Sequence, residues 1–424
     1  MQIDFFSRES LNVSGGHPEP DSSGSAATHE RLPSKSAVSR GPVFSIPAGH
    51  RELRLDLFRG LALWLIFIDH VSPDVLAWLT IRNYGFSDAA EIFIFISGFT
   101  AALVYGRTMF EGGFVIGSAR ILRRAWQIYC AHILLFCVLI AEVALVTRLT
   151  GTPFYMKEME VTEFFGNPGP AMIQTLLLRF RPLNMDILPL YVVLMLALPL
   201  VLLLAKWWTA LPLILSVALY ALTLRYDLHL SAYPAGFWSF NPFAWQLLFV
   251  FGAWCALGGS KRLSPLMNLR AVFWAAIGYL LACFFVTLTW HFPQLEQFMP
   301  SWLFRFIYPI DKTDLDILRF VHFLALAIVA LRFVPNGWRG LESPWVQPLI
   351  LCGQYSLQIF SLGVALSFTG YALLMETSAG LAVHVAVGVI GILITCGVAL
   401  LFTWYQRALG AAARRHGPAA VHSA

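Results

Sequence analysis

The chain alternates between long apolar stretches and short polar segments. Each apolar stretch is close to the twenty or so residues that an α-helix needs to cross the hydrocarbon core of a bilayer. The predicted spans cover roughly 57–80, 89–108, 126–149, 187–205, 207–226, 237–258, 270–292, 315–334, 346–374 and 380–405. The pattern therefore predicts an all-α fold, a polytopic membrane helix bundle with about ten transmembrane helices.

Composition supports this class and sets the domain limits. Hydrophobic residues make up 58% of the 424 residues and charged residues only 12%, which excludes an ordinary soluble enzyme. Residues 1–50 are rich in Ser, Gly, Pro and charge, so we predict a disordered cytoplasmic tail there. Residues 51–408 would form the membrane domain, and residues 409–424 a C-terminal cytoplasmic tail. The six cysteines fall within predicted spans without metal-ligand spacing, which indicates packing roles and no bound metal.

Basic residues divide unequally between the two sides of the predicted membrane. Fifteen Lys and Arg residues fall in one set of alternate connecting segments and nine in the other, although the second set contains the longest loops. The positive-inside rule therefore predicts that both termini are cytoplasmic. The net charge of +5 indicates contacts with anionic lipids or phosphate groups. No basic soluble domain is present to suggest a nucleic-acid partner.

The first span carries the chain's sharpest candidate for chemistry. Arg59 and His70 are eleven residues apart, so they share one helix face and are separated by roughly 16 Å along the axis. Asp56 lies one turn before Arg59 and is expected to pair with it. His70 would then lie around mid-depth or beyond and act as a general base. The alternative is a buried histidine bonded to a neighbouring helix, and Asp69 is expected to contact another helix.

Two carboxylates open the second span. Asp88 follows Ser87 directly before an apolar helix and is typical of an N-cap, whereas Glu91 in the first turn suits the helix dipole. The loop from span one is short, so both side chains should lie near the outer end of that span. Asp69 and Glu91 are therefore catalytic candidates beside His70, and Asp88 is a substrate-binding candidate.

Three arginines precede the third span on the predicted cytoplasmic side. Arg120, Arg123 and Arg124 lie within adjacent helical turns and could hold phosphate groups through charge-assisted, bidentate hydrogen bonds. Together with Arg59 they form the candidate binding site for a phosphate-bearing cofactor. The alternative is a topology anchor that contacts lipid phosphates.

Segments on the opposite side combine carboxylates and amides with aromatic rings. This pairing suits a sugar, whose CH faces stack on rings and whose hydroxyls form hydrogen bonds. Helix caps and interfacial anchors explain the same residue types, so that alternative stays open. The substrate-binding candidates of these segments are Asp186, Trp245, Gln246, Asp311 and Asp314.

Several of these residues lie in motifs that resemble a known family. The segment 55–60 with the downstream His70, and the arginine pattern of 120–124, resemble the membrane acyltransferase superfamily called acyltransferase three. More specifically, the chain resembles the OpgC protein family over about residues 52–374, with Tyr355 where relatives carry His. The matching segments are 82–91, 184–186, 241–246, 311–313 and 353–357.

The resemblance implies an enzyme of the bacterial inner membrane that decorates osmoregulated periplasmic glucans with succinyl groups. Succinyl-CoA from the cytoplasm would be the acyl donor, a glucose hydroxyl of a periplasmic glucan the acceptor, and no cofactor would be tightly bound. The remaining partners would be membrane lipids. A transporter or flippase of an anionic or glycan ligand is the alternative function, because charges within a helix bundle suit a transport path as well. The sequence offers no inverted repeat to support it.

Overall fold

The computed structural model describes residues 44–47, 51–71, 75–335, 337–377 and 380–415, the last three residues by their backbone alone. The predicted tail of residues 1–50 lies outside the described residues except for 44–47. The described chain is helical, and its β-structure is limited to one isolated bridge between Ser231 and Phe237. The all-α prediction is therefore confirmed.

Sixteen α-helices are found in the described residues. They are α1 (Leu53–Val71), α2 (Ala89–Gly112), α3 (Phe114–Thr150), α4 (Phe154–Glu158), α5 (Thr162–Gly166), α6 (Pro168–Leu176), α7 (Ile187–Trp207), α8 (Leu211–Tyr226), α9 (Pro242–Trp254), α10 (Ser260–Met267), α11 (Arg270–His291), α12 (Ser301–Ile307), α13 (Ile317–Phe333), α14 (Gln347–Gln354), α15 (Ser356–Glu376) and α16 (Leu381–Arg415). A π-helical segment joins α9 to α10, and short 3-10 helices cover 76–79, 81–83, 293–298 and 339–342.

Seven helical segments of the described chain are long and apolar enough to cross a membrane. They are α2, α3, α7, the joined α9 and α10, α11, α15 and α16 up to Ala412. The other predicted spans coincide with α1, which carries Arg54, Asp56, Arg59 and Asp69, and with α8 and α13, which have 16 and 17 residues. The protein is a multi-pass membrane protein, and the count of ten remains a prediction.

The helix bounds correct one predicted limit. The first span was expected to run to residue 80, but α1 ends at Val71 and the described chain resumes at residue 75 with short 3-10 turns. Helix α16 continues to Arg415, and the predicted cytoplasmic tail from residue 409 stays a prediction.

The bundle has two ends of different charge. Helix α1 ends and α2 begins at one of them, which we call the acidic end because Asp88, Asp186 and Asp316 occupy the N-cap positions of α2, α7 and α13 there. Helix α2 ends and α3 begins at the opposite end, which we call the basic end and which carries Arg107 and Arg120. The two ends are the places where polar ligands could reach the bundle.

Glycines allow the central helices to pack with their backbones in contact. A Cβ on Gly60 would overlap the carbonyl of Leu349, and one on Gly353 would overlap that of Asp56, so α1 and α14 touch directly. The same holds for Gly98 of α2 against the backbone of Phe249 in α9. Small residues at such crossings are typical of membrane helices, which gain stability from close packing. This packing fixes α1 and α2, the helices that carry the candidate site.

Candidate functional site

His70 lies at the acidic end of α1, one residue before the helix ends. Its side chain is partly buried and hydrogen-bonds to the backbone of Ile66 one turn earlier. Lys312 and Asp88 are the charged groups with the strongest electrostatic interaction with the ring. The sequence placed His70 at mid-depth or beyond, and the structure puts it at the far end of the helix, beside the start of α2.

The neighbouring Asp69 has a local partner. Its side chain is buried, and Oδ1 lies 2.6 Å from the hydroxyl oxygen of Thr80. Thr80 belongs to the connection between α1 and α2, so the expectation that Asp69 contacts another spanning helix is wrong. The bond instead ties this connection to the end of α1, directly beside His70.

Asp88 is the N-cap that the sequence predicts. Its Oδ1 accepts a hydrogen bond from the backbone N–H of Ala90 at 2.8 Å, and Glu91 Oε2 accepts one from the N–H of Asp88 at 2.9 Å. These two bonds form a capping box at the start of α2. Both carboxylates therefore have a structural role, and the proposed catalytic role of Glu91 stays a prediction.

Two cations from a distant part of the chain complete this cluster. Lys312 Nζ lies 2.6 Å from Asp88 Oδ2, and Arg319 Nη2 lies 3.2 Å from the same oxygen and 2.6 Å from Glu91 Oε1. Burial opposes ionisation of Asp88, but these two cations hold its pKa well below the usual value. Lys312 and Arg319 thus pair with the two carboxylates of the capping box, and Lys312 and Asp88 also interact electrostatically with His70.

Sequence reasoning did not select Lys312 or Arg319 for the site. Lys312 stands in a motif that resembles the OpgC family, and Arg319 is an ionisable residue in a predicted span, which by itself marks a functional candidate. The sequence does not show that Arg319 pairs with Glu91, because 228 residues separate the two in the chain.

Arg59 has different partners from those expected. Asp56 pairs with Arg51 at 2.6 Å, so the predicted pair of Asp56 with Arg59 is wrong. Arg59 is buried, and its Nη2 donates to the carbonyl of Ile96 at 3.2 Å and to Thr100 Oγ1 at 2.6 Å. Its Nε has no hydrogen-bond partner among the described residues. A buried guanidinium whose bonds all go to neutral groups is suited to binding an anion.

The three arginines before span three divide into two environments. Arg124 is partly buried and interacts electrostatically with Arg59 and with Tyr105. Arg120 is exposed and bonds Thr108 Oγ1 at 3.2 Å, and Arg123 is exposed. Only Arg124 of the three therefore joins Arg59 in one basic cluster, and the joint phosphate clamp remains a prediction.

Trp245 does not offer a stacking surface. The ring is completely buried, packs on Phe240, and its Nε1 donates to the carbonyls of Lys312 and Thr313 at 3.0 and 3.1 Å. The expectation that a sugar stacks on this ring is therefore wrong, because no face of the ring reaches solvent. Trp245 instead fixes the backbone of the loop between α12 and α13, residues 308–316, which we call the Lys312 loop.

The other acceptor-side candidates already have protein partners. Gln246 bonds Ser216 of α8 through both its Oε1 and its Nε2. Asp311 accepts from the backbone N–H groups of residues 313 and 314, and Asp314 accepts from Asn241 Nδ2 at 2.7 Å. Asp311 and Asp314 therefore shape the Lys312 loop at the acidic end and remain partly exposed.

Asp186 is held at the same end by Arg181. The distance from Arg181 Nε to Asp186 Oδ1 is 2.9 Å, and the guanidinium lies over the ring of Trp238. Burial raises the pKa of Asp186 and outweighs the opposing effect of Arg181. Asp186 also interacts electrostatically with Lys312, so it borders the same cluster.

One group of metal-type ligands occurs in the described part of the chain. Asp227, His229 and Asp314 have ligand atoms within 4.8 Å of one another. His229 Nδ1 lies 3.1 Å from the backbone carbonyl oxygen of Asp227, and its Nε2 lies 3.2 Å from Asp314 Oδ2. The ring nitrogens are therefore already engaged by protein atoms.

The site thus has two parts: a buried basic cluster around Arg59 of α1, and a charged cluster of Asp88, Glu91, Lys312 and Arg319 near the end of α1 that carries His70. A model of the OpgC protein family matches residues 51–407, which covers both parts. Neither a curated protein nor a solved structure matched the chain.

Proposed function

This chain belongs to the OpgC protein family, and we propose that it is a membrane O-acyltransferase that moves a succinyl group from succinyl-CoA to glucose hydroxyls of periplasmic glucans. The family is of the transferase type and is involved in modifying osmoregulated periplasmic glucans. The finer proposal adds the succinyl-CoA donor, the bacterial inner membrane and cytoplasmic termini.

The observation that supports this proposal is the arrangement of Arg59 and His70 on α1. Arg59 is buried and its hydrogen bonds go to neutral groups, and Asp56, Arg51 and Arg124 interact with it electrostatically. His70 lies eleven residues further along, roughly 16 Å toward the acidic end. A donor with phosphates on a long flexible arm could contact the basic cluster and extend its thioester toward His70. A glucan would approach from the acidic end.

In the proposed reaction, His70 acts as the general base. Its imidazole accepts the proton of a glucose hydroxyl, and the hydroxyl oxygen attacks the thioester carbonyl. The tetrahedral oxyanion forms close to the charged cluster, where Lys312 exerts the strongest influence of any charged group on His70. The thiolate of coenzyme A then leaves and takes up a proton. A covalent acyl-histidine is the other route, and trapping it would distinguish the two.

On the acceptor side, the proposal now rests on the Lys312 loop. Glu91 and Trp245 are fully buried, so they support the glucan site from beneath. Asp311, Lys312 and Asp314 are partly or largely exposed and could bond glucan hydroxyls. Carboxylates here would also repel glucans that already carry succinyl groups, which would limit the number added per molecule.

The decisive experiment uses purified protein with radiolabelled succinyl-CoA and neutral glucan. Transfer of label to glucan, with release of free thiol, supports the enzyme. Ligand movement across proteoliposomes without thioester cleavage would instead favour the transporter. Mass spectrometry of periplasmic glucans from cells with and without the gene then identifies the acyl group.

A further inference from the structure

A groove lies between α11, which is long and apolar enough to cross a membrane, and α13. Its volume is about 270 Å³. The lining residues are Ile81, Tyr84, Ile277, Leu280, Leu281, Phe284, His322 and Leu326. On α11, the lining residues run from Ile277 to Phe284, roughly 10 Å along the helix axis. The groove is therefore a short apolar channel with one strongly polar group, the His322 imidazole.

The His322 ring is held in one orientation by Ser87. Its Nδ1 accepts a hydrogen bond from the backbone N–H of Ser87 at 3.3 Å and lies 2.7 Å from Ser87 Oγ. A backbone N–H can only donate, so Nδ1 is the acceptor nitrogen and the neutral ring carries its hydrogen on Nε2. Nε2 packs close to Gly85 and has no hydrogen-bond partner among the described residues. His322 therefore lines the groove with one unsatisfied donor, on a side chain that is only 2% exposed.

The position of His322 along α13 corresponds to the depth of the ester carbonyls of membrane lipids. His322 is five residues into α13, roughly 8 Å below the acidic end of that helix. Exposed aromatic side chains, including Trp78 and Trp290, lie above it at the ends of the connection and of α11, as in the interfacial belts of membrane proteins. The ester carbonyls of glycerophospholipids lie just beneath such a belt, where the headgroup region meets the hydrocarbon.

We propose that the groove binds one acyl chain of an anionic glycerophospholipid, whose ester carbonyl accepts a hydrogen bond from His322 Nε2. The exposed guanidinium of Arg82 follows Ile81 in the same 3-10 turn and has no ion-pair partner in the described part of the chain, so it is available to the lipid phosphate. A succinyl carboxylate or a glucan hydroxyl fits the groove poorly, because its polar atoms would face Leu280, Leu281 and their apolar neighbours. The lipid proposal does not depend on the proposed transferase function, and Arg82 also interacts electrostatically with Asp69 and His70.

The test uses the purified full-length protein and phosphatidylglycerol that carries a photoreactive diazirine in one acyl chain. Labelled peptides are expected from the segments 277–284 and 322–326. Unlabelled diacyl phosphatidylglycerol should compete about fivefold better than its dialkyl ether analogue, since the ether lacks the carbonyl and loses one hydrogen bond. This comparison needs no variant, so it does not depend on the folding of a mutant.

Two tryptophan variants provide the matched control. Leu281→Trp fills the groove from an exposed position and should reduce labelling of 277–284 several-fold. Phe285→Trp changes an exposed neighbour that does not line the groove, and should leave the labelling as in the wild type. The proposal is overturned if Leu281→Trp leaves the labelling unchanged. It is also overturned if the ester and ether lipids compete equally well. Neither measurement involves acyl transfer, so the result is independent of the proposed enzymatic function.

Discussion

Arg319 of α13 reaches across the bundle and bonds Glu91 of α2, with Nη2 2.6 Å and Nε 2.9 Å from Oε1. Glu91 is fully buried and also accepts the backbone N–H of Asp88. One guanidinium therefore joins a helix start to a helix 228 residues away in the chain. A buried charge pair of this kind is costly to break, because the remaining partner stays uncompensated.

Asp88→Asn is expected to lower thermal stability, since Lys312 and Arg319 would then share the single charge of Glu91. The loss should be about 3 kcal/mol, the size found when one partner of a buried ion pair is removed. The pKa of Asp88 is depressed in the folded protein, so its stabilisation is present above the unfolded pKa of about 4 and is lost as pH falls below it. The difference in melting temperature between wild type and Asp88→Asn should therefore shrink as the pH falls below about 4. The control is Asp227→Asn, an exposed carboxylate.

Gly85→Ala is expected to destabilise the protein by about 1–3 kcal/mol, because a Cβ at this position would overlap the His322 imidazole. Ser87 holds the ring in place, so it cannot turn away freely. In the His322→Ala background, the same glycine substitution should cost much less, which a double-mutant cycle in melting temperature would reveal. Gly278→Ala, where the new atom meets open space, serves as the control. Equal costs in both backgrounds would disprove the clash.

His70→Ala is expected to abolish glucan acylation while the protein still inserts and accumulates, because the proposed base is lost. The measurement is transfer of labelled succinyl groups to glucan by protein purified to equal amounts. His384→Ala on α16 is the matched histidine control and should retain activity. Normal acylation by His70→Ala would exclude this residue as the base.

Arg59→Gln and Arg124→Gln are each expected to raise the donor KM tenfold or more, because each removes a charge-assisted bond to phosphate. The acceptor KM should change little. Arg123→Gln, at an exposed position outside the basic cluster, should stay within about twofold of the wild type. If all three substitutions leave donor affinity unchanged with insertion intact, these arginines contribute to topology alone.

Trp245→Phe is expected to weaken acceptor binding through the Lys312 loop. The substitution keeps a buried aromatic ring but removes the indole N–H that donates to the carbonyls of Lys312 and Thr313. Both carbonyls keep a backbone donor, from Leu315 and Asn241, so the loss should be about 1 kcal/mol, the net contribution of one hydrogen bond. The acceptor KM should rise several-fold and the donor KM should not. Trp274→Phe, on the exposed face of α11, is the control. An unchanged acceptor KM would show that this loop lies outside the glucan site.

The sequence by itself determined the all-α membrane fold, the N-cap at Asp88 and the two polar positions on α1. These features are local: they follow from apolar run length, from the capping chemistry of a short segment and from the periodicity of one helix. The end of α1 at Val71 was missed, because the apolar residues continue through the 3-10 turns that follow it.

The tertiary structure alone decided which charged residues meet. Local spacing suggested that Asp56 pairs with Arg59, yet Arg51 competes for the carboxylate, and Arg59 turns toward α2. Residue type suggested that Trp245 stacks on a sugar, yet the ring is buried beneath the Lys312 loop. Partners such as Glu91 and Arg319 come together only when helices distant in the chain pack. No periodicity within a single segment encodes that packing, because it depends on the fit of several helices at once.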